Sequence, residues 1–147
     1  MPIVQKITTS ETFEVRHPVL RQGKPIESCR FEGDDLITTL HFGLFENNNL
    51  VGVASIFENN NPLFEDKNQA QLRGMAVLEN YQGKGFGKQL VAHCEKQMTL
   101  ENKSLIWFNA RVNAKGFYEK MGYTAIGNPF EIKEVGLHYV MYKKLGN

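Results

Sequence analysis

The segment that most constrains this chain is the glycine run Tyr81-Gln82-Gly83-Lys84-Gly85-Phe86-Gly87-Lys88-Gln89-Leu90. It follows Gln71 to Val77, which reads as a buried strand with Gly74 as a bulge position. After it, Gly85 to Leu100 reads as an amphipathic helix, with Phe86, Leu90, Val91, Cys94 and Met98 on one stripe. Glycines in such a turn let the backbone approach a ligand, and the unpaired N–H groups at the helix start attract anions. Lys84 and Lys88 add positive charge.

Two familiar phosphate loops fail on spacing. A P-loop requires Gly-Lys followed by Ser or Thr, whereas Gly87-Lys88 is followed by Gln89, which offers no hydroxyl for magnesium. A dinucleotide fingerprint counted from Gly83 needs a small residue at Lys88, and counted from Gly85 needs one at Leu90. What remains is Gln-x-x-Gly-x-Gly, met by Gln82, Gly85 and Gly87. A ligand-free strand-to-helix turn is the plain alternative.

Elsewhere the spacing predicts a short or kinked helix around Phe13, Arg16, Val19 and Leu20, interrupted by Pro18. Gly23-Lys24-Pro25 and Glu32-Gly33-Asp34-Asp35 are turn signals. Leu36 to Phe45 and Leu50 to Phe57 read as a hairpin about Glu46-Asn47-Asn48-Asn49, and Glu58 to Asn68 as a loop. Ser104 to Ala110 reads as a buried strand, and Ala114 to Met121 as a short helix stopped by Gly122. Leu137 to Leu145 closes the chain as a strand. The order β-hairpin, β, α, β, α, β implies an α/β fold, a mixed sheet with helices on its faces, in a single domain over 1–147.

The charge balance, 17 Lys+Arg against 16 Asp+Glu, leaves no electrostatic footprint for nucleic acid or an anionic membrane. No apolar run is long enough to span a bilayer, and the first residues lack a signal-peptide pattern. Cys29 and Cys94 make no disulfide framework and suit a reducing cytoplasm. His17, His41 and His93 show no ligand spacing, so no metal site is expected.

Against that background, Gln82-Gly83-Lys84-Gly85-Phe86-Gly87 resembles the acyl-CoA pyrophosphate loop of the GCN5-related N-acetyltransferases (GNAT). Leu72-Arg73-Gly74-Met75-Ala76-Val77 resembles that family's central bulged strand. Asn113 to Tyr123 resembles its Asn-x-x-Ala/Gly-x-x-Phe-Tyr-x-x-x-Gly-Phe/Tyr signature. The closing Phe130-Glu131-Ile132 and Gly136 to Met141 are similar to the tail of one bacterial, small-molecule-type subgroup. The likeness runs from about Leu36 to the C-terminus and is strongest after Gln71. It implies a mostly antiparallel central sheet with a splayed central strand and helices on both faces.

The resemblance also implies site roles. Backbone N–H groups of Gly83, Lys84, Gly85, Phe86, Gly87 and Lys88 would cradle the pyrophosphate of acetyl-CoA, the acyl donor, beside Gln82. The backbone of Met75, Ala76 and Val77 would pair with the pantetheine amides, one N–H polarising the thioester carbonyl. Asn113, with Asn109 and Phe117 nearby in sequence, would line the pantetheine arm; Asn113 suits a helix N-cap as well, and both roles can hold together, whereas Asn109 reads first as a strand-edge hydrogen bonder. Tyr118 would protonate the departing thiolate, although a half-buried aromatic is the bland reading of the same residue.

Many relatives carry a glutamate on or near the central strand, but Ala70 to Leu78 contains no carboxylate. The base candidates are His138 first and Glu134 second, with Glu131 and Glu79 behind them. The implied reaction is direct acetyl transfer to a primary amine of a small molecule or peptide in a ternary complex. A non-catalytic acyl-CoA-binding module and a partner-binding domain are the alternatives. Arg16, Arg21 and Arg30 are cations for an acceptor carboxylate, or plain surface charges. Acceptor choice would lie within this fold or at a homodimer contact.

Overall fold

A computed structural model describes residues 1–146. The chain runs β1 (Ile3–Ile7), α1 (Thr9–Leu20), β2 (Leu40–Glu46), β3 (Asn49–Glu58), β4 (Gln69–Val77), α2 (Phe86–Leu100), β5 (Leu105–Arg111), α3 (Lys115–Glu119), β6 (Thr124–Ile132) and β7 (Gly136–Lys144). The strand order is β1-β2-β3-β4-β5-β7-β6. Pairs β1/β2, β2/β3, β5/β7 and β6/β7 are antiparallel, and β4/β5 is parallel. The mixed, mostly antiparallel sheet expected from the sequence is therefore present. Two compact units share β4 and α2: residues 1–58 with 72–97, and residues 59–71 with the chain from Met98 onward.

In the first unit, α1 opens with a capping box. Glu11 N–H donates to Thr8 Oγ1 (3.2 Å), and Thr8 N–H donates to Glu11 Oε1 (2.8 Å). Pro18 sits in the last turn, where the missing N–H costs one hydrogen bond and the helix ends two residues later. The helix is thus longer and more regular than its sequence suggests, because its buried face is Thr12, Val15 and Arg16 rather than an apolar stripe. The β2–β3 hairpin closes on Asn47 (φ 50°) and Asn48 (φ 67°), the left-handed pair that a two-residue turn between twisted strands requires. β2 begins at Leu40 rather than Leu36, since residues 36–39 turn back and Thr39 Oγ1 donates to the Gly33 carbonyl (2.6 Å).

Adjacent residues of β3 show where the helices of this unit lie. Val53 packs with Val15 of α1 and Ala76 of β4, whereas a Cβ on Gly52 would come within 2.9 Å of Leu90 of α2. Successive strand residues point to opposite faces, so α1 and α2 cover opposite sides of β3. The apolar stripe expected on α2 is fully used: Phe86, Leu90, Val91, Cys94 and Met98 are all buried.

In the second unit, Leu105, Trp107 and Val140 form a core with Phe64, Ile126, Phe130 and Tyr142 around it. The Trp107 indole N–H donates to the Asn59 carbonyl (2.9 Å), which pins the loop before β4. β5 pairs with β7 from Leu105↔Lys144 to Arg111↔His138, while its parallel ladder with β4 covers only Gln69↔Leu105 to Gln71↔Trp107. Two strands escape the sequence reading. β1 is five residues long and largely exposed, and β6 carries Gly127-Asn128-Pro129 at a register shift between Ile126 and Phe130. Proline is tolerated there because β6 is an edge strand.

Candidate functional site

The glycine turn of the first unit presents open backbone at the start of α2. Gly83 (φ 80°) and Gly85 (φ 84°) hold left-handed backbone, and nothing lies within 4 Å of where either Cβ would be. The side chain of Gln82 turns back onto the strand, Nε2 donating to the Val77 carbonyl (2.9 Å), so it fixes the loop. The first bond of α2 runs from Gln89 N–H to the Gly85 carbonyl (3.0 Å), leaving the N–H groups of Phe86, Gly87 and Lys88 without intrahelical partners. No acidic residue occupies that first turn. Lys84 leans over the Tyr81 ring (5.4 Å), while Lys88 is exposed. Open glycine positions, unpaired donors, a helix dipole and two lysines together suit a diphosphate.

Upstream on β4, Gly74 has φ 65°, as expected of a bulge. A Cβ there would come within 2.9 Å of Phe31 and 3.2 Å of Arg16 Nε, so glycine is required by both conformation and space. Ala76 and Val77 are buried and Met75 is half-buried.

Arg16 corrects a sequence reading. It is fully buried, not a surface charge, and is held by Asp34 (Nη1–Oδ2 2.6 Å, Nη2–Oδ1 3.1 Å), Ser55 Oγ (3.0 Å) and the Cys29 carbonyl (2.8 Å). Ser55 also bonds His41 Nδ1 (2.6 Å), and both residues are buried. Arg30 pairs at the surface with Asp35 (2.6 Å). Arg21 donates to the Leu20 and Ser28 carbonyls.

Arg73 has no role in the strand motif; its signal in the sequence is a lone arginine beside Gly74 in an otherwise apolar strand segment. The residue is half-buried, with its guanidinium over the rings of Phe31 (5.0 Å) and Phe57 (5.1 Å). Burial lowers its pKa from the ordinary arginine value, reinforced by Arg16 and Arg21 and opposed by Asp34 and Glu32.

In the second unit, Tyr118 lies on α3, buried against Phe108 (ring centroids 4.4 Å), Phe117 (5.0 Å) and Tyr123 (6.1 Å). Burial pushes its phenol up to about 12. Phe117 beside it is exposed. Asn109 is exposed on β5 opposite Val140. Asn113 is also exposed, but it is not an N-cap: it falls in a 3-10 turn (Val112–Ala114), and Ala114 stands at the cap of α3 without a side-chain bond. The chain enters α3 from that turn already helical, which removes the extended cap geometry.

His138 is buried on β7, facing Phe130, and its Nδ1 is 2.8 Å from the Gly136 carbonyl. A carbonyl only accepts, so Nδ1 carries the proton and Nε2 keeps the lone pair of the neutral ring. Glu134 (φ 66°) is exposed in the β6–β7 turn, Glu131 pairs in register with Leu137, and Glu79 is exposed in a 3-10 turn after β4.

Comparisons with known proteins show the family and the fold of the chain. Residues 6–123 match the sequence model of the acetyltransferase (GNAT) family. The chain is 37% identical over 142 residues to the uncharacterized N-acetyltransferase YitI of Bacillus subtilis, covering 97% of this chain and 95% of that protein. Its fold is similar to the ribosomal-protein-S18-alanine N-acetyltransferase of Escherichia coli (TM-score 0.79, 16% identity, 100% and 96% of the two chains). It is also similar to an aminoglycoside 6'-N-acetyltransferase solved with coenzyme A (TM-score 0.76, 13% identity, 97% and 96%).

Proposed function

The chain belongs to the acetyltransferase (GNAT) family as an acyl-CoA-dependent N-acetyltransferase, and from that premise we propose that residues 1–147 act as one domain transferring acetyl from acetyl-CoA to a primary amine by direct attack. The observation that carries the donor assignment is the Gly83–Lys88 turn, with its open left-handed glycines and unpaired N–H groups ahead of α2. In this reading those N–H groups, with Lys84 and Lys88, hold the diphosphate. Met75, Ala76 and Val77 offer backbone groups to the pantetheine, and one N–H polarises the thioester carbonyl. Asn109, Asn113 and Phe117, all exposed, line the arm.

Acetyl-CoA supplies an activated acyl group whose leaving atom is a thiolate. Tyr118 supplies the proton. A phenol raised to about 12 stays protonated at every working pH, so it is always a donor, though a weak acid by strength alone. His138 takes the proton of the attacking amine through Nε2, the nitrogen its Gly136 contact leaves unprotonated. Glu134 is the second candidate for that role.

The acceptor class follows no relative's name. The similar proteins act on a ribosomal-protein alanine in one case and an aminoglycoside in another, so the fold admits peptide and small-molecule amines alike.

The test is thiol release from acetyl-CoA across a panel of amines. Tyr118→Phe is expected to lower kcat about 10²-fold or more while the acetyl-CoA Kd stays within a few fold. An unchanged kcat across the panel would remove Tyr118 from the chemistry.

A further inference from the structure

From the half-buried, unpaired guanidinium of Arg73 we infer that the acceptor amine carries a carboxylate, which Arg73 binds with Arg21 beside it. This rests on the acetyl-transfer reading above and names the substrate class for the same site.

The cluster is built around the left-handed Gly74 of β4. Ser55 and Phe57 of β3 share the face that Val53 turns to α1, and the Cβ direction of Gly74 points to that face as well, at Phe31 and Arg16. Regular alternation would send Arg73 to the opposite face. The left-handed Gly74 breaks the alternation, and the Arg73 guanidinium instead reaches Phe31 and Phe57. Three guanidiniums then gather at one ring: Arg16 at 3.9 Å from the Phe31 centroid, Arg73 at 5.0 Å and Arg21 at 5.2 Å.

Their charges are not equally satisfied. Arg16 is neutralised by Asp34. Arg21 is held by two backbone carbonyls, which steady it without cancelling its charge. Arg73 makes no hydrogen bond or ion pair among the described residues; its guanidinium lies over two rings, and the carboxylates of Asp34 and Glu32 act on it only at a distance. A guanidinium partly withdrawn from water, with two other cations nearby and no carboxylate in contact, is the natural partner of an incoming anion. The planar fork between two aromatic faces matches a carboxylate, which takes two parallel N–H bonds.

Position supports the same occupant. Arg73 is two residues before Met75, about 7 Å along a strand, at the start of the segment proposed to hold the pantetheine. A carboxylate anchored there leaves an amine a few bonds away near the acyl group. Amino acids and short ω-amino acids have that form. Polycationic acceptors do not suit it, because the surplus positive charge repels them.

The experiment measures acetylation of the free amino acids, of their carboxamides, of O-phosphoethanolamine and of spermidine at fixed acetyl-CoA. Expected is a KM for the best acid about tenfold or more below that of its amide, with spermidine poorest. Arg73→Gln is expected to erase the difference by raising the acid's KM while kcat moves little, and Arg73→Lys to restore part of it, since charge returns without the fork. Equal KM for acid and amide, preference for the phosphate amine, acetylation of none of them, or Arg73→Gln raising both KM values alike would each overturn the assignment. A thermal shift with acetyl-CoA separates the two levels. If wild type shows none, the acetyl-transfer reading fails; if it shows one and the acid preference is missing, only the carboxylate does.

Discussion

Asp34 anchors the interior of the first unit. Its carboxylate accepts from both Arg16 terminal nitrogens and from the Phe31 N–H (2.7 Å), while its own carbonyl meets His41 Nε2 (2.9 Å). Removing one partner of a buried ion pair leaves the other uncompensated, at a cost of about 3–5 kcal/mol. Asp34→Ala is expected to lower the unfolding free energy by that much, read as a fall in the urea midpoint with the slope unchanged. A loss near the cost of an ordinary surface change would show that the pair is not carrying the α1–β3 junction. The same pair fixes Phe31, so the ring on which Arg73 and Arg21 converge depends on a carboxylate that touches neither of them. At Tyr118 the expected outcome concerns pH. Its folded pKa is raised from 10.0 to about 12 by burial, so the folded state keeps a proton that the unfolded chain loses. The stability from this burial is full below about pH 10 and declines as pH rises towards 12. Correspondingly, no limb of the kcat profile below pH 10 belongs to Tyr118, and Tyr118→Phe leaves the shape of that profile unchanged while lowering its height. A limb below pH 10 that vanishes in this variant would contradict the burial argument.

Elements differ in how much their sequence discloses, and the reason is what each one buries. α2 was legible because its interior face is wholly apolar at helical spacing, and the β2–β3 hairpin because Asn47 and Asn48 tolerate the left-handed turn. α1 was not, because its buried face includes Thr12 and an arginine whose partner lies 18 residues away. The one local signal was Thr8-Thr9-Ser10-Glu11, the capping box before an otherwise unperiodic segment. Thr8→Ala is expected to cost about 1 kcal/mol in chemical denaturation, and a neutral result would mean that packing alone sets the start of α1. Edge strands β1 and β6 were hidden because one exposed flank relaxes the apolar pattern and admits Pro129. The glycine turn before α2 was readable since glycine spacing is itself the constraint. Arg73 was not, because its position depends on the left-handed Gly74, whose effect on side-chain direction no local pattern encodes.

At the scale of the molecule, the near-neutral charge read first as an argument against large anionic partners now sits beside local concentrations of positive charge. Lys84 and Lys88 flank the glycine turn, and Arg21 and Arg73 surround Phe31. In the reading proposed above, each meets one small anion rather than a polymer. Among the described residues no helix is long and apolar enough to cross a membrane. The most direct measurement of the central claim is the melting temperature of the whole chain with and without acetyl-CoA. At about 100 times Kd, a ligand that binds only the folded state adds about 2.7 kcal/mol. For a chain of this length that is a rise of roughly 5–10 °C. Gly85→Val, which places a β-branched residue at φ 84°, is expected to lose most of that rise. An unchanged melting temperature at millimolar acetyl-CoA, or a full rise in Gly85→Val, would contradict a coenzyme held on the turn before α2.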